Sequence, residues 1–381
     1  MGSDVFEITV NLVKMLFIFL LMVQLVPVLV WVERRGSAFI QSRFGPNRVG
    51  PLGLTQLLAD AVKFLMKEEF VPAQGKKLLF YLAPAIALVP GAVAFGSIPL
   101  SCPVHIQRFL MLQHWWGPYD FEFQSFHFGV GIVFVLGISS LGAYALLLAG
   151  WGSANKFSLM GALRASAQMI SYELALGLSL VGAILIYGTF DFTEMIAQQA
   201  QVFNFELLGH AFHLRKYGIL MQPIGAILYF SSIFAETNRL PFDLPEAEGE
   251  LVVGYHTEYG GLKMLMFYIG EYGHMMVGSA LFVTFYLGGY TIPLLTTTQI
   301  NNLFLSMGAG PNVISILTAL VFHVAFFAKV LFLLWVFVWV RWTLPRFRYD
   351  QLMDLGWKTM LPWSLANVIV TAVVVAYVRS K

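Results

Sequence analysis

The sequence predicts an all-α, polytopic membrane protein with about eight transmembrane helices. Of its 381 residues, 58% are hydrophobic and 12% are charged, whereas ordinary soluble domains carry about 25% charged residues. A helix needs roughly 20 mostly apolar residues to cross a bilayer. Eight segments meet that requirement and make residues 1–381 a single integral membrane domain: 5–32, 78–99, 128–151, 160–187, 217–236, 263–290, 313–341 and 358–378.

The placement of Lys and Arg predicts the orientation of these helices. Sixteen of the 23 lysines and arginines lie in or beside the first, third, fifth and seventh connections between spans. Cytoplasmic connections of membrane proteins carry such an excess. These four connections are therefore expected on the cytoplasmic side, with both termini outside.

The first cytoplasmic connection, 33–77, contains a predicted interfacial helix over residues 53–67. Its apolar side chains recur with the 3.6-residue period of a helix, and polar side chains occupy the opposite face. The segment is too polar to span, so we expect it to lie in the membrane interface. Within it, Asp60 is three residues before Lys63, a spacing that allows a partial ion pair. A simple surface anchor is the alternative role.

The connector 236–262 concentrates negative charge. It holds six of the 21 acidic residues, and Arg239 is its one basic residue. The connection 33–77 carries eight basic and four acidic residues on the same predicted face, so the two are expected to attract each other and to wall a polar chamber. A solvated loop is the alternative explanation of this charge density.

Four ionisable residues lie within or at the end of predicted spans: Glu173, Glu236, Glu271 and Lys329. Such groups are costly in a bilayer and usually face a protein interior or a wet cavity. Carboxyl groups in these surroundings can exchange protons near neutral pH, which makes the set a candidate proton path. A set of ion pairs that only fixes helix packing is the alternative, and spacing alone does not decide between them.

The cysteine and histidine content argues against a redox or metal centre within the chain. Cys102 is the single cysteine, and the eight histidines show no metal-ligand spacing. An internal disulfide and a cysteine-ligated iron–sulfur cluster are therefore not expected, and no metal site is predicted.

Several of these stretches together resemble a known family. The most specific is the run ETNRLPFDLPEAEGEL, which begins at Glu236. With the other matching stretches it resembles the H subunit of bacterial respiratory complex I, the NADH:quinone oxidoreductase, whose mitochondrial counterpart is NADH dehydrogenase subunit 1. The resemblance covers nearly the whole chain, although the outer connections 101–127 and 291–312 look longer than in compact members. The run is part of a matching stretch over Ala235–Tyr259, and the other matching stretches are Glu33-Arg34-Arg35, Gln41–Pro51, Gly53–Pro72, Gly161–Glu173, Glu271-Tyr272, Arg341–Met353 and Trp357-Lys358.

The resemblance implies a subunit that joins the membrane arm to the peripheral arm and forms most of a tunnel for ubiquinone or menaquinone. The iron–sulfur clusters and FMN would belong to partner subunits. The residues implied around the tunnel and its chamber are Arg34, Arg43, Asp60, Glu68, Arg239, Glu246, Glu248 and Glu258.

The resemblance also implies that Glu173, Glu236 and Glu271 lead protons from the chamber into the membrane, and their depth adds Lys329 to this path. Expected partners are the peripheral-arm subunits of the quinone site, small adjacent membrane subunits, antiporter-like subunits and lipid, but no nucleic acid. The expected location is the bacterial cytoplasmic membrane rather than an organellar one.

Three other functions remain open at this point. The runner-up is the equivalent subunit of a membrane-bound hydrogenase, which the full acidic motif disfavours. A stand-alone secondary transporter usually shows paired repeats, and no internal repeat is visible. A purely structural anchor would leave the ionisable residues within the spans without a role.

Overall fold

A computed structural model of the protein describes residues 2–106, 119–207, 210–243, 253–293 and 295–380. Helices dominate these ranges, which confirms the prediction of an all-α polytopic membrane protein. In the first half of the chain the helices are α1 (Gly2–Ile40), α2 (Gln56–Met66), α3 (Lys77–Gly96), α4 (Gly131–Ser139), α5 (Leu141–Gly152), α6 (Lys156–Tyr187) and α7 (Phe192–Gln199). In the second half they are α8 (Gly218–Met221), α9 (Pro223–Glu236), α10 (Gly261–Tyr286), α11 (Thr297–Ser306), α12 (Pro311–Thr343), α13 (Tyr349–Asp354) and α14 (Leu361–Ser380).

Among the described residues, six helical segments are long and apolar enough to cross a membrane. Two predicted spans fall outside this set for different reasons. The span 217–236 forms the short turn α8 and the 14-residue helix α9. The span 263–290 forms α10, whose hydropathy is lowered by polar residues such as Glu271 and His274. The six segments are Ile8–Ile40, Lys77–Gly96, Gly131–Gly152, Lys156–Tyr187, Pro311–Thr343 and Tyr349–Ser380.

The first helix continues beyond its predicted end at residue 32. Helix α1 runs to Ile40, so the Glu33-Arg34-Arg35 motif lies on its last turns and not in a loop. Charged residues end an apolar run but do not end a helix, because Glu and Arg are good helix formers. The interfacial helix predicted over 53–67 is observed as a short 3₁₀ turn, Pro51–Gly53, followed by α2.

Two short antiparallel hairpins lie in the connections predicted to be outside. Strands β1 (Val104–Ile106) and β2 (Tyr119–Phe121) pair with Val104 opposite Phe121. Strands β3 (Val202–Leu207) and β4 (His210–Arg215) pair with Val202 opposite Arg215. Neither hairpin is predicted from the sequence.

Helix α10 is the centre of the bundle and packs against α3, α12, α1 and α9. Every residue from Met275 to Tyr286 is buried, as expected for a helix segment that is apolar on all sides. At its other end, Gly270 lets α10 approach α3 closely, since a Cβ at that position would lie 2.6 Å from the Ala87 carbonyl oxygen. The residue after this close approach is Glu271.

Candidate functional site

A cavity of about 550 Å³, here termed the chamber, lies where the ends of α1, α2, α10 and α12 meet the residues that follow α9. It is at the end of the bundle predicted to face the cytoplasm. Its lining mixes apolar side chains with charged ones, and its size falls within the usual range for small-molecule pockets, about 300–1,000 Å³. The charged residues of the lining comprise three acids and three bases: Glu33, Asp60, Glu271, Arg34, Arg239 and Arg341.

Helical periodicity explains which residues of α2 and α10 reach the chamber. On α2 the lining residues recur at positions i, i+3, i+4 and i+7, and the same spacing recurs on α10. Residues at this spacing share one face of a helix. The α2 set is Leu57, Asp60, Ala61 and Phe64, and the α10 set is Leu265, Tyr268, Ile269 and Tyr272. Glu271 of α10 also lines the chamber, at a position outside this spacing.

The end of α9 brings Arg239 into the chamber. Asn238 ends the helix with φ of 49°, a left-handed conformation that asparagine tolerates better than most residues. The Arg239 backbone N–H then donates to the Phe234 carbonyl at 3.1 Å. The buried side chain of Gln168 on α6 fixes this turn, because it donates to the carbonyls of Ala235 and Phe242 at 2.8 Å each.

Asp60 is held by Arg34. Arg34 Nη1 lies 2.6 Å from Asp60 Oδ2, and Gln56 Nε2 donates to the other carboxylate oxygen at 3.1 Å. The structure therefore pairs Asp60 with α1 and not with Lys63, whose Nζ lies over the Phe64 ring at 5.1 Å from its centroid. This pair connects α2 to α1.

Glu33 connects three helices at the chamber wall. Arg341 of α12 donates to Glu33 Oε1, and the Tyr272 hydroxyl of α10 donates to Glu33 Oε2 at 2.5 Å. The Glu33 side chain is 14% exposed and that of Arg341 is 34% exposed. The carboxylate thus has both of its oxygens occupied.

Glu271 is the remaining acid of the chamber and is held by a looser ion pair. Arg239 Nη2 lies 3.9 Å from Glu271 Oε2, and the Tyr255 hydroxyl donates to Oε1. The Arg239 guanidinium also stacks over the Tyr272 ring, 4.1 Å from its centroid. Arg239 is therefore placed between Glu271 and the tyrosine that contacts Glu33.

A second, small cavity of about 30 Å³ lies behind Glu271, deeper in the bundle. Its polar lining includes Glu236 at the end of α9 and His274 on α10. Of the described residues, Glu271 is the one that lines both this cavity and the chamber. Glu173 on α6 is close enough for its charge to act on Glu236. Glu271 and Glu236 thus line one cavity, and Glu173 is within electrostatic range of Glu236.

The structure places three other predicted tunnel residues away from the chamber. Arg43 is exposed, and its Nε donates to Gln41 Oε1 at 2.6 Å. Glu68 is also exposed. Glu258 accepts a hydrogen bond of 2.7 Å from Asn155 Nδ2 and lines a separate surface groove.

The most acidic part of the connector lies outside the described residues. This applies to Glu246 and Glu248, for which the resemblance implies a place in the tunnel lining. In the described part, Asp243 is 3.0 Å from Arg346 in the seventh connection. The first connection and the described part of the connector meet at the chamber, where Arg34 and Asp60 line the same cavity as Arg239.

Lys329 is not joined to the carboxylates by any described contact. Its Nζ donates to the carbonyls of Leu287, Gly289 and Thr291 at 2.7, 2.8 and 2.7 Å. These carbonyls follow the C-terminal end of α10, where a positive charge interacts favourably with the helix dipole. These three hydrogen bonds account for the burial of the Lys329 side chain, and a proton-carrying role is not needed to explain it.

Replacing Lys329 with Met is therefore expected to lower the thermal stability of the protein. The change removes three charge-assisted hydrogen bonds, and we expect a loss of about 3 kcal/mol. The measurement is the unfolding temperature of the purified protein, with Lys358→Met as the matched control because the Lys358 side chain is 72% exposed. Equal unfolding temperatures for the two variants would contradict this assignment.

Several members of the site are not apparent from the residues alone. Glu33, Tyr272 and Arg341 belong to stretches that carry the resemblance, but they are not among the site residues predicted from the sequence. Tyr255 and His274 are not predicted as site residues either. A histidine within a predicted span is a usable signal, since polar residues there are costly, whereas nothing in the sequence indicates which carboxylate a tyrosine hydroxyl contacts.

Comparisons with known proteins point to one family over nearly the whole chain. The family model of NADH dehydrogenase matches residues 13–372. A protein from Bdellovibrio bacteriovorus, named as the H subunit of NADH-quinone oxidoreductase, is 62% identical over 100% of this chain and 99% of its own length. Relatives from Cytophaga hutchinsonii and Geobacter sulfurreducens carry the same name with the numbers 1 and 2. They are 42% and 40% identical, over 90% and 99% of this chain and 89% and 100% of their own lengths.

Proposed function

The chain belongs to the family of the H subunit of NADH-quinone oxidoreductase, respiratory complex I, and from that premise we propose that its chamber admits a quinone from the bilayer. We propose further that its carboxylates couple quinone reduction to proton translocation. The chain is a multi-pass membrane component of an enzyme complex, and we place it in the bacterial cytoplasmic membrane.

The lining of the chamber supports a quinone as the ligand. A quinone joins an apolar isoprenoid tail to a headgroup whose carbonyl oxygens only accept hydrogen bonds. Apolar side chains such as Val26, Val30 and Ile269 suit the tail, and the guanidinium groups of Arg34 and Arg239 can donate to the headgroup. Ubiquinone and menaquinone share this chemistry.

The single observation that carries the coupling proposal is that Glu271 lines both cavities. Reduction to quinol takes up electrons and an equal number of protons, and the electrons would come from an iron–sulfur cluster of a partner subunit that receives them from FMN. Negative charge that develops on the headgroup would compete with Glu271 for Arg239. A change in the protonation of Glu271 would then reach Glu236 and Glu173, and antiporter-like subunits beyond them.

The comparisons favour this proposal over two of the alternatives left open by the sequence. The three relatives carry the NADH-quinone oxidoreductase name over most of both chains. That supports the quinone enzyme over a hydrogenase. It also supports a component of a complex over a stand-alone transporter.

Filling the chamber should block quinone reduction without disturbing earlier electron transfer. Ala61 lines the chamber, whereas Ala59 on the same helix is exposed and absent from the lining. In the assembled complex, Ala61→Trp is expected to lower NADH:quinone reductase activity at least about tenfold, because its side chain occupies ligand volume. NADH oxidation by hexacyanoferrate should stay unchanged, because this acceptor takes its electrons before the quinone site.

Ala59→Trp serves as the matched control for the added volume and should keep full quinone reductase activity. Full activity in Ala61→Trp would reject the chamber as the quinone channel.

A further inference from the structure

His274 is a polar residue of the small cavity to which no role has yet been given. It lies on α10 three residues after Glu271, so the two side chains are neighbours on one face of the helix. The ring forms a hydrogen bond with the Ala87 backbone. Its Nε2 atom is buried and has no hydrogen-bond partner among the described residues.

The contact with Ala87 determines what Nε2 can do. Since Nε2 has no described partner, we assign the contact with the Ala87 carbonyl to Nδ1 and place the proton on that nitrogen. In a neutral imidazole the other nitrogen is then an acceptor. A buried acceptor that lacks a donor costs about 1–3 kcal/mol, so a donor is expected next to Nε2.

The cavity has room for a water molecule and, in a mainly apolar wall, polar side chains that can bind it. Its volume of about 30 Å³ exceeds the roughly 10–15 Å³ that a cavity needs to hold one water molecule. A buried water also needs roughly two to four polar partners. Glu236, Glu271 and His274 supply hydrogen-bond acceptors at the wall of the cavity. No described residue donates a hydrogen bond to the Glu236 carboxylate.

The backbone of α5 approaches the imidazole at Gly142, which has no side chain. A Cβ at this position would lie 3.3 Å from His274 Nε2, tighter than most such contacts. The backbone of α5 therefore lies next to the ring, with no side chain in between.

We propose that His274 is a positioning residue that binds an internal water through Nε2 and thereby bridges the carboxyl groups of Glu271 and Glu236. The inference deepens the proposed proton path and rests on it. It assigns to this chain a water site and the residue that orients it.

The bridge transfers one proton without any other chemical change. The water donates one hydrogen to His274 Nε2 and the other to the Glu236 carboxylate, and it accepts the proton of a protonated Glu271. When Glu271 loses its proton to the water oxygen, the hydrogen that faces Glu236 moves to that carboxylate. The product is a neutral water, an ionised Glu271 and a protonated Glu236, while His274 stays neutral throughout.

The test compares His274→Leu with His274→Gln in the assembled complex. Glutamine keeps a side-chain hydrogen-bond acceptor, whereas leucine fills similar volume without one. In proteoliposomes, we expect His274→Leu to lower NADH-driven proton translocation about tenfold or more, and His274→Gln to restore much of it. Hexacyanoferrate reduction should be unchanged in both.

A high-resolution map of the wild-type complex provides the direct readout. Density for a water is expected within hydrogen-bonding distance of Nε2, and it should be lost in His274→Leu. The matched control is His323→Leu on α12, because His323 is half-buried and lines an apolar groove elsewhere. It should leave proton translocation unchanged.

Two outcomes would overturn the inference. One is wild-type proton translocation in His274→Leu, and the other is equal loss in the Leu and Gln variants, which would indicate packing alone. Glu236→Gln separates this inference from its premise. If Glu236→Gln is impaired and His274→Leu is not, only the water bridge fails, whereas wild-type translocation in Glu236→Gln rejects the proposed path itself.

Discussion

Replacing Glu271 with Gln is expected to abolish coupled turnover of the complex. The amide keeps the size of the side chain and an acceptor for the Tyr255 hydroxyl, but it can neither ionise nor carry a proton. Proton transfer by a positioned group typically contributes about 10²–10⁴-fold, so NADH-driven proton translocation should fall by about 100-fold. Quinone reductase activity and proton uptake are measured together in proteoliposomes.

Glu271→Asp should retain part of the activity, because the carboxylate remains within the same wall. Asp350→Asn is the control for the loss of an acid at the predicted cytoplasmic face, since the Asp350 side chain is 65% exposed. Proton translocation at the wild-type level in Glu271→Gln, with an unchanged ratio to quinone reduction, would contradict the coupling proposal.

Replacing Glu33 with Ala is expected to destabilise the protein more than any other removal of a charge at the chamber. The change leaves the Arg341 guanidinium and the Tyr272 hydroxyl without the carboxylate that joins them. Breaking a buried ion pair costs about 3–5 kcal/mol. Since Arg341 is 34% exposed, we expect a loss near the lower end, about 3 kcal/mol. The unfolding temperature of the purified complex and the amount of this chain in the membrane report the loss.

Asp354→Ala provides the comparison for Glu33→Ala. Asp354 pairs with Lys358 one turn later on an exposed surface, where the two side chains are 62% and 72% exposed. Such helical pairs contribute about 0.3–0.5 kcal/mol, so this variant should be close to wild type. A similar small effect in Glu33→Ala would show that the three-helix contact is not structural.

The broad architecture could be predicted from the sequence because hydrophobic length alone identifies membrane helices. All eight apolar segments are helical, although length and composition support membrane crossing for six helical segments of the described residues. Helix α1 continues eight residues past the predicted end of the first span, because the first charges mark the end of the apolar run and not of the helix. The helix instead ends where Ser42 adopts a left-handed conformation with φ of 54°.

The site was predictable where the family resemblance supplied residues, and less so where partners depend on tertiary contacts. Arg34, Asp60 and Arg239 line the chamber as the resemblance implies. Lys329 is grouped with the carboxylates because its position within a predicted span puts it at a similar depth in the membrane. Depth alone does not show which helix or loop the side chain contacts. The segment after α10 folds back against it and offers carbonyl groups.

The packing of α10 limits how a change at the chamber can reach the other helices. Its outer half is enclosed on every side from Met275 to Tyr286, and Lys329 binds the carbonyls just beyond its end. Close-packed interiors have low compressibility, so sliding of α10 along its axis would disturb the packing around all of these residues. We therefore expect a change at its chamber end to reach the adjoining helix α9 through side chains and protons, and not through a shift of α10 as a whole.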